Sequence, residues 1–205
     1  MADNRFPHLN KLVFWLAPTN VTSMATPFFR RLFSRPEKPA VETTETRAGH
    51  GDAEAQFSLG IQFAREGAAQ DYPQAAQWYL KAADQSHSLA QFNLAVMYAA
   101  GQGVARDEAK SMGWMQKAAD QGDAGAQYHV GMKLHRASLD GLPEAALESR
   151  IQAYKWLQLA AAQGYRGSDA AWAFVALSMT HADVADGGRR IAAFVSTRAN
   201  QAEAA

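Results

Sequence analysis

The sequence predicts an all-α fold, a solenoid in which antiparallel helix pairs stack on one another. Three observations indicate it: an alanine-rich composition, a sequence block that recurs three times, and apolar residues at helical spacing on two faces of each repeat. The chain has 205 residues, of which 43 are alanine and 48% are hydrophobic. This much alanine favours closely packed helices, and the hydrophobic fraction is sufficient for a core.

The composition also argues against several classes of function. Because the chain has no cysteine, it can form no disulfide, thiolate zinc site or iron–sulfur cluster. Its 20 basic and 20 acidic side chains give zero net charge, whereas nucleic-acid-binding proteins are basic. We therefore expect no nucleic-acid partner, and no metal or other cofactor.

The recurring block defines three repeats of two helices each. Its first part, Ala-Gln followed by Phe or Tyr, begins at residues 55, 90 and 126. Its second part begins at Trp78, Trp114 and Trp156 and ends seven residues later in glutamine. The third repeat has six additional residues. We place them in a loop at 138–143, which leads into a helix that starts near Pro143.

Apolar residues occupy two sides of the first helix of each repeat. In the first repeat Ala55, Leu59 and Phe63 share one face, and Phe57 and Ile61 lie opposite. A helix that is apolar on two sides needs neighbours on two sides. A stacked array supplies them, and an isolated helix pair does not.

Residues suited to helix ends punctuate the repeats. Glycines and one serine are predicted to end helices, namely Gly101, Gly122, Gly164 and Ser86. Aspartates suited to helix starts are Asp71, Asp107 and Asp183, the last forming a capping box with Thr180. The pair Gly187-Gly188 is predicted to interrupt the terminal helix.

One stretch of the chain closely resembles a Sel-1-like repeat of the bacterial type. It consists of residues 90–107, Ala-Gln-Phe-Asn-Leu-Ala-Val-Met-Tyr-Ala-Ala-Gly-Gln-Gly-Val-Ala-Arg-Asp, followed by Trp114 and Lys117–Gly122. Such repeats are related to tetratricopeptide repeats. The resemblance covers three units and implies a right-handed superhelix of antiparallel helix pairs. It also implies a non-catalytic scaffold or adaptor that holds a protein or peptide partner.

The chain divides into three predicted parts. Residues 1–46 form a flexible basic tail and linker, 47–166 the three repeats, and 167–205 a final pair of capping helices. Residues 1–40 hold six basic and two acidic side chains, so the tail is basic although the whole chain is neutral. The true start is either Met1 or Met24 on sequence grounds.

The candidate binding residues are side chains that repeat on the first helices. They are Phe57, Ile61, Arg65, Phe92, Val96, Tyr128, Met132 and Arg136. By analogy with tetratricopeptide geometry they would line the concave face, with aromatic anchors and arginines at the rim holding a partner segment. The alternative is that they are buried between adjacent repeats as core. The sequence leaves both interpretations open.

The basic tail suggests a second function. Segment 28–35, Phe-Phe-Arg-Arg-Leu-Phe-Ser-Arg, mixes aromatic and basic residues and suits contact with an anionic membrane surface. The chain would then be a membrane-peripheral tether, unless the segment is only a disordered leader. We expect a cytoplasmic location, or a periplasmic or secreted one if residues 1–25 act as a signal.

Motifs of catalysis are missing. Gly101-Gln102-Gly103 follows a helix and lacks the third glycine of a dinucleotide-binding loop. His129 and His135 are six residues apart on one helix, so they do not share a face for a metal. We therefore expect no enzyme. A small α-helical hydrolase is the less favoured alternative.

Overall fold

A computed structural model describes residues 42–65 and 71–204, which contain nine α-helices and no β-strand. The helices are α1 Thr44–Gly49, α2 Ala53–Arg65, α3 Tyr72–Asp84, α4 Ser88–Ala100, α5 Glu108–Asp120, α6 Ala124–Asp140, α7 Pro143–Ala162, α8 Ser168–Leu177 and α9 His181–Glu203. The expectations for segment 28–35, the signal region and the start residue lie outside the described residues.

The helices pack in the order that the repeat predicts. α2 pairs with α3, α4 with α5 and α6 with α7, and each pair contacts the next through its second helix. The short helix α1 packs on α2 ahead of the first pair. Its first three residues, 44–46, lie inside the segment predicted as a flexible linker. This succession of packed pairs confirms the predicted α-solenoid.

Alanine and glycine allow the helix axes to approach closely. Ala75, Ala82 and Ala118 on the second helices have no exposed surface. At Gly60 an added Cβ would lie 2.5 Å from the ring of Tyr79, and at Gly131 it would lie 2.7 Å from Leu157. The alanine-rich composition is therefore explained by helix contacts that larger side chains would obstruct.

The six additional residues of the third repeat lengthen its helices. The predicted loop at 138–143 is wrong over its first part, because α6 continues to Asp140. Ser138 is buried within that last turn, and its hydroxyl donates to the carbonyl of His135 at 2.7 Å. The predicted helix start is confirmed: Pro143 occupies the first turn of α7, where its fixed φ suits a helix. α6 and α7 consequently have 17 and 20 residues, against 13 in the other repeat helices.

The terminal helices differ from the predicted final pair. α8 packs on α7, but α9 also packs on α7 and does not pair with α8. The predicted interruption at Gly187-Gly188 is wrong, since α9 is continuous over 23 residues. Gly187 is required for packing rather than for a bend, because an added Cβ would lie 2.5 Å from the ring of Tyr154.

Most predicted helix ends are confirmed. Asp107 accepts a hydrogen bond from the amide of Lys110, and Thr180 and Asp183 form the predicted capping box. Ser86, Gly101, Gly122 and Gly164 take positive φ angles, between 66° and 89°. Asp71 also stands at a helix start, the N-cap of α3, but its side chain makes no capping hydrogen bond.

An ion-pair cluster fastens α9 to α7. Arg190 donates from Nη2 to Oε2 of Glu148 at 3.0 Å and also contacts Asp186 at 2.8 Å. This hydrogen bond from Arg190 holds the pKa of the Glu148 carboxyl below its ordinary value. Glu148 remains more than half exposed, so solvent screening keeps the contribution of the pair to stability small.

We predict opposite effects for two glycine-to-alanine substitutions. Gly60→Ala places a methyl group against the buried ring of Tyr79 and should lower the free energy of unfolding by about 1–3 kcal/mol. Gly113→Ala meets no atom within 4 Å and should raise it by roughly 0.5–1 kcal/mol. Urea unfolding of the full chain measures both. Equal effects of the two changes would contradict the close approach of α2 and α3.

Candidate functional site

Buried glutamines position the first helices that carry the candidate binding residues. Gln56, Gln91 and Gln127 lie at equivalent positions and are at most 5% exposed. Each donates from Nε2 to a main-chain carbonyl eight residues earlier, on Ala48, Ala83 and Ala119. These donor–acceptor distances are 3.0–3.2 Å. Each glutamine thus ties a first helix to the end of the helix before it.

A second glutamine completes the same network in every repeat. The side-chain carbonyls of Gln56, Gln91 and Gln127 accept hydrogen bonds from Nε2 of Gln85, Gln121 and Gln163. The distances are 2.8, 2.7 and 2.9 Å. We call these six residues the glutamine ladder. Because the second glutamine follows the second helix of the same repeat, the ladder links both helices of a pair and the preceding helix.

Each candidate aromatic ring packs against the segment that follows the second helix of its repeat. Phe57 is 8% exposed, and its ring stacks on His87, at the N-cap of α4, at 4.5 Å between centroids. Phe92 is half-buried against Gly125 of the third repeat, and Tyr128 is half-buried 5.2 Å from the ring of Tyr165. Phe57 and Phe92 are thus part of the contact between repeats, and Tyr128 packs on the segment that joins α7 to α8.

His87 has a further role at the start of α4. Its Nδ1 accepts a hydrogen bond from the amide of Ala90 at 3.2 Å, where Asp52 and Asp123 cap the other first helices. With Nδ1 as acceptor, Nε2 carries the proton and donates to Glu54 at 3.0 Å. The sequence interpretation missed His87, although its position matches that of the two aspartates.

The candidate aliphatic residues form a row that remains partly open to solvent. Ile61, Val96 and Met132 occupy equivalent positions on α2, α4 and α6, and we call them the aliphatic row. Val96 is 38% exposed, while Ile61 and Met132 are half-buried. Phe174 on α8 continues this series in the sequence and was missed. It follows Met132 by 42 residues, the spacing that separates Trp114 from Trp156.

The two candidate arginines are exposed. Arg65 ends α2, and Arg136 lies one turn beyond Met132 on α6. Lys133 beside Met132 pairs with Glu108 of the second repeat at 2.8 Å. The eight predicted residues therefore divide into packed aromatic rings, an aliphatic row, and exposed cations near that row.

The described residues show no arrangement typical of catalysis. A cavity of about 330 Å³ lies where α9 meets the ends of α5 and α7, lined in part by Gln127, Leu159, Gln163 and Arg198. The ionisable side chain in the lining of this cavity is Arg198, which donates a hydrogen bond to the carbonyl of Asp120. No group of three or more histidine, aspartate or glutamate residues in the described ranges is placed to hold a metal ion. Within the same ranges no helix combines the length and apolarity needed to span a bilayer.

His129 is a titratable group that lies near two of the aromatic rings. Its ring lies 5.8 Å from that of Phe92 and 5.7 Å from that of Tyr128. Partial desolvation lowers the pKa of His129, whose side chain stays exposed on one side, and the nearby Asp123 carboxylate opposes this shift in part. The neutral imidazole is therefore favoured in the folded state.

The fold and the ladder define the class of this protein. Three stacked antiparallel helix pairs, with the same internal hydrogen bonds in each, make it a helical-repeat protein of the α-solenoid type. The Sel1 repeat family matches residues 53–87, 88–123 and 124–165, more than half of the chain. The chain belongs to the Sel1 repeat family, whose members generally act as non-catalytic scaffolds for protein–protein interaction.

Solved structures agree with this assignment. A protective antigen of uropathogenic Escherichia coli with an SLR fold is similar at 27% identity and a TM-score of 0.64, over 78% of this chain and 33% of that one. A Sel1 repeat protein from Oxalobacter formigenes is similar at 32% identity and a TM-score of 0.52, over 63% of this chain and 93% of that one. The chain thus spans about a third of the length of the antigen. No curated protein matches it significantly.

The glutamine ladder predicts that two glutamine substitutions differ in their effect on the free energy of unfolding. Gln91→Ala removes the side-chain hydrogen bonds to the carbonyl of Ala83 and from the side-chain amide of Gln121, and should lower the free energy of unfolding by about 1–3 kcal/mol. Gln77→Ala, on the exposed side of α3, should change it by less than about 0.5 kcal/mol. Chemical unfolding monitored by circular dichroism measures both. A loss at Gln91 no greater than that at Gln77 would show that the ladder does not stabilise the stack.

His129 predicts a pH dependence of stability. Because its pKa is lower in the folded state, the folded chain binds fewer protons near and below pH 6.5 than the unfolded chain does. The contribution of His129 to the free energy of unfolding should be fully present above that pH. It should decrease as the pH is lowered through that value. His129→Gln should reduce this fall in unfolding experiments between pH 8 and pH 5. An NMR titration that places the imidazole at or above 6.5 would contradict the prediction.

Proposed function

We propose that this protein is a non-catalytic scaffold that holds a segment of a partner protein along the aliphatic row. The observation that carries the proposal is the repetition of aliphatic residues at three equivalent positions that stay partly exposed, Ile61, Val96 and Met132. Structural core positions in the same helices, such as Leu94 and Val130, are at most 1% exposed. A repeated apolar position that is not buried suits contact with another molecule.

The surroundings of the row support binding of an extended or helical segment. Phe57, Phe92 and Tyr128 are packed against the segments that follow the second helices, so the row stands on a rigid support and little conformational entropy is lost on binding. Leu89, 47% exposed, lies about two turns before Val96 on the same face of α4 and extends the apolar surface of this helix. Arg65 and Arg136 are separate cations that orient a segment carrying acidic residues.

We expect a charge on the row to abolish partner binding without unfolding the stack. The full chain carrying Val96→Asp is used as bait in cell extract, and the proteins it captures are compared by mass spectrometry with those captured by the unchanged chain. Partners bound at the row should be depleted at least tenfold, because an aspartate at a desolvated contact leaves a buried charge without a partner. Arg65→Glu with Arg136→Glu should weaken capture of the same proteins.

Val195→Asp is the matched control, since Val195 is 52% exposed on α9. It introduces the same charge on a helix that does not carry the row. Melting temperatures of all variants establish that the fold is retained. If Val96→Asp and the arginine variant capture the same proteins as Val195→Asp at similar melting temperatures, the row is not the binding surface.

A further inference from the structure

The exposed side of α8 is an apolar surface that the repeat packing leaves without a neighbour among the described residues. Ala170, Ala173, Phe174 and Leu177 are all exposed, with Phe174 at 64% and Leu177 at 87%. Their spacing of three and four residues places them on one face of the helix. We call these four residues the α8 stripe.

Repeat equivalence shows what this stripe normally does. The corresponding residues of α6 are Tyr128, Gly131, Met132 and His135. Gly131 packs on Leu157 of α7, and the ring of His135 lies 5.7 Å from that of Phe174 on α8. These positions therefore contact the helices that follow in the array. On α8 they have no such neighbour, because α9 packs on α7 instead.

The stripe does not have the character of a terminal cap. Solenoids usually end in a repeat with a polar outer face, which prevents association. None of the four residues of the stripe is polar. Leu139, 67% exposed and one turn beyond His135 on the same face of α6, continues the apolar surface past the end of α8.

The stripe is complementary to a second copy of itself. Its N-terminal half holds the small residues Ala170 and Ala173, and its C-terminal half holds the large residues Phe174 and Leu177. When two such helices lie antiparallel, the large half of each meets the small half of the other. This is the self-complementary arrangement that a twofold axis requires.

Charges at the ends of α8 favour the same orientation. Asp169 is exposed in the first turn of the helix. Arg150 of α7 donates to the carbonyl of Ser178, just past the last turn. In an antiparallel pair the carboxylate of each copy approaches the guanidinium of the other, and the two helix dipoles are opposed.

We propose that α8 pairs with α8 of a second copy about a twofold axis, which makes the protein a homodimer through the open end of its repeat array. Phe174, Leu177 and Leu139 each supply on the order of 100 Å² of apolar surface, and the small residues permit close approach. A standard interface buries about 800 Å² per partner, so these side chains cover part of what a stable dimer needs. The dimer therefore dissociates at micromolar concentrations.

Analytical ultracentrifugation of the full chain from about 1 to 200 µM tests the proposal. The expected result is a monomer–dimer equilibrium that Ala173→Arg shifts toward monomer at least tenfold in the dissociation constant. Val195→Arg, which adds the same side chain at an exposed position of α9, should leave the equilibrium unchanged. A monomer throughout the range, or a dimer that Ala173→Arg leaves intact, would overturn it.

The absence of cysteine permits a second test of geometry. Ala173 lies next to the centre of the stripe, so in an antiparallel pair its Cα lies close to the twofold axis and to the Cα of Ala173 of the other copy. A single Ala173→Cys substitution should give a disulfide-linked dimer under mild oxidation, because Cα atoms within about 4.4–6.8 Å can be bridged. Val195→Cys should remain monomeric on a non-reducing gel. Cross-linking of Val195→Cys at an equal rate, or none at position 173, would reject the twofold pairing of α8.

Discussion

The glutamine ladder is the interaction on which the stack depends. A first helix begins beside the end of the preceding helix, and the last carbonyls of that helix have no partner within it. Gln91 occupies that position with an amide that reaches the carbonyl of Ala83, while its own carbonyl accepts from Gln121. Polar atoms buried at the contact between repeats are thereby paired, and each repeat is fixed in register with its neighbour.

The ladder also determines which surfaces remain open. Since α4 is held against α3 and α5 through Gln91, the aromatic ring of Phe92 is directed toward the third repeat and becomes part of the core contact. Val96, one turn further along α4, lies next to the same helices but retains 38% exposure. The rings of Phe57 and Phe92 thus belong to the repeat contact, and the aliphatic row is the part of the repeated surface still available to another molecule.

Periodic features were predictable from the sequence, and features that depend on non-equivalent contacts were not. The spacing of Trp78, Trp114 and Trp156 defines the helix pairs, and Pro143 and Asp107 mark helix starts by local chemistry that tertiary contacts do not alter. Gly187 was misjudged, because its low helix propensity is outweighed by close packing on Tyr154, a contact remote in sequence. The hydrogen-bond partners of Gln56 and Gln127 could not be predicted either, although both residues were recognised as part of the repeat.

α9 covers the outer surface of the third repeat. Trp78 and Trp114 are half-buried, and the ammonium groups of Lys81 and Lys117 lie over their rings at 3.8 and 3.9 Å. The third repeat has Leu159 in place of this lysine, and the ammonium group of Lys155 lies over the ring of Trp156 at 4.1 Å instead. Phe194 of α9 meets the same ring edge to face at 5.3 Å, and Trp156 is only 4% exposed. Because α9 packs on α7, it is not available to pair with α8, and the end of the array stays open.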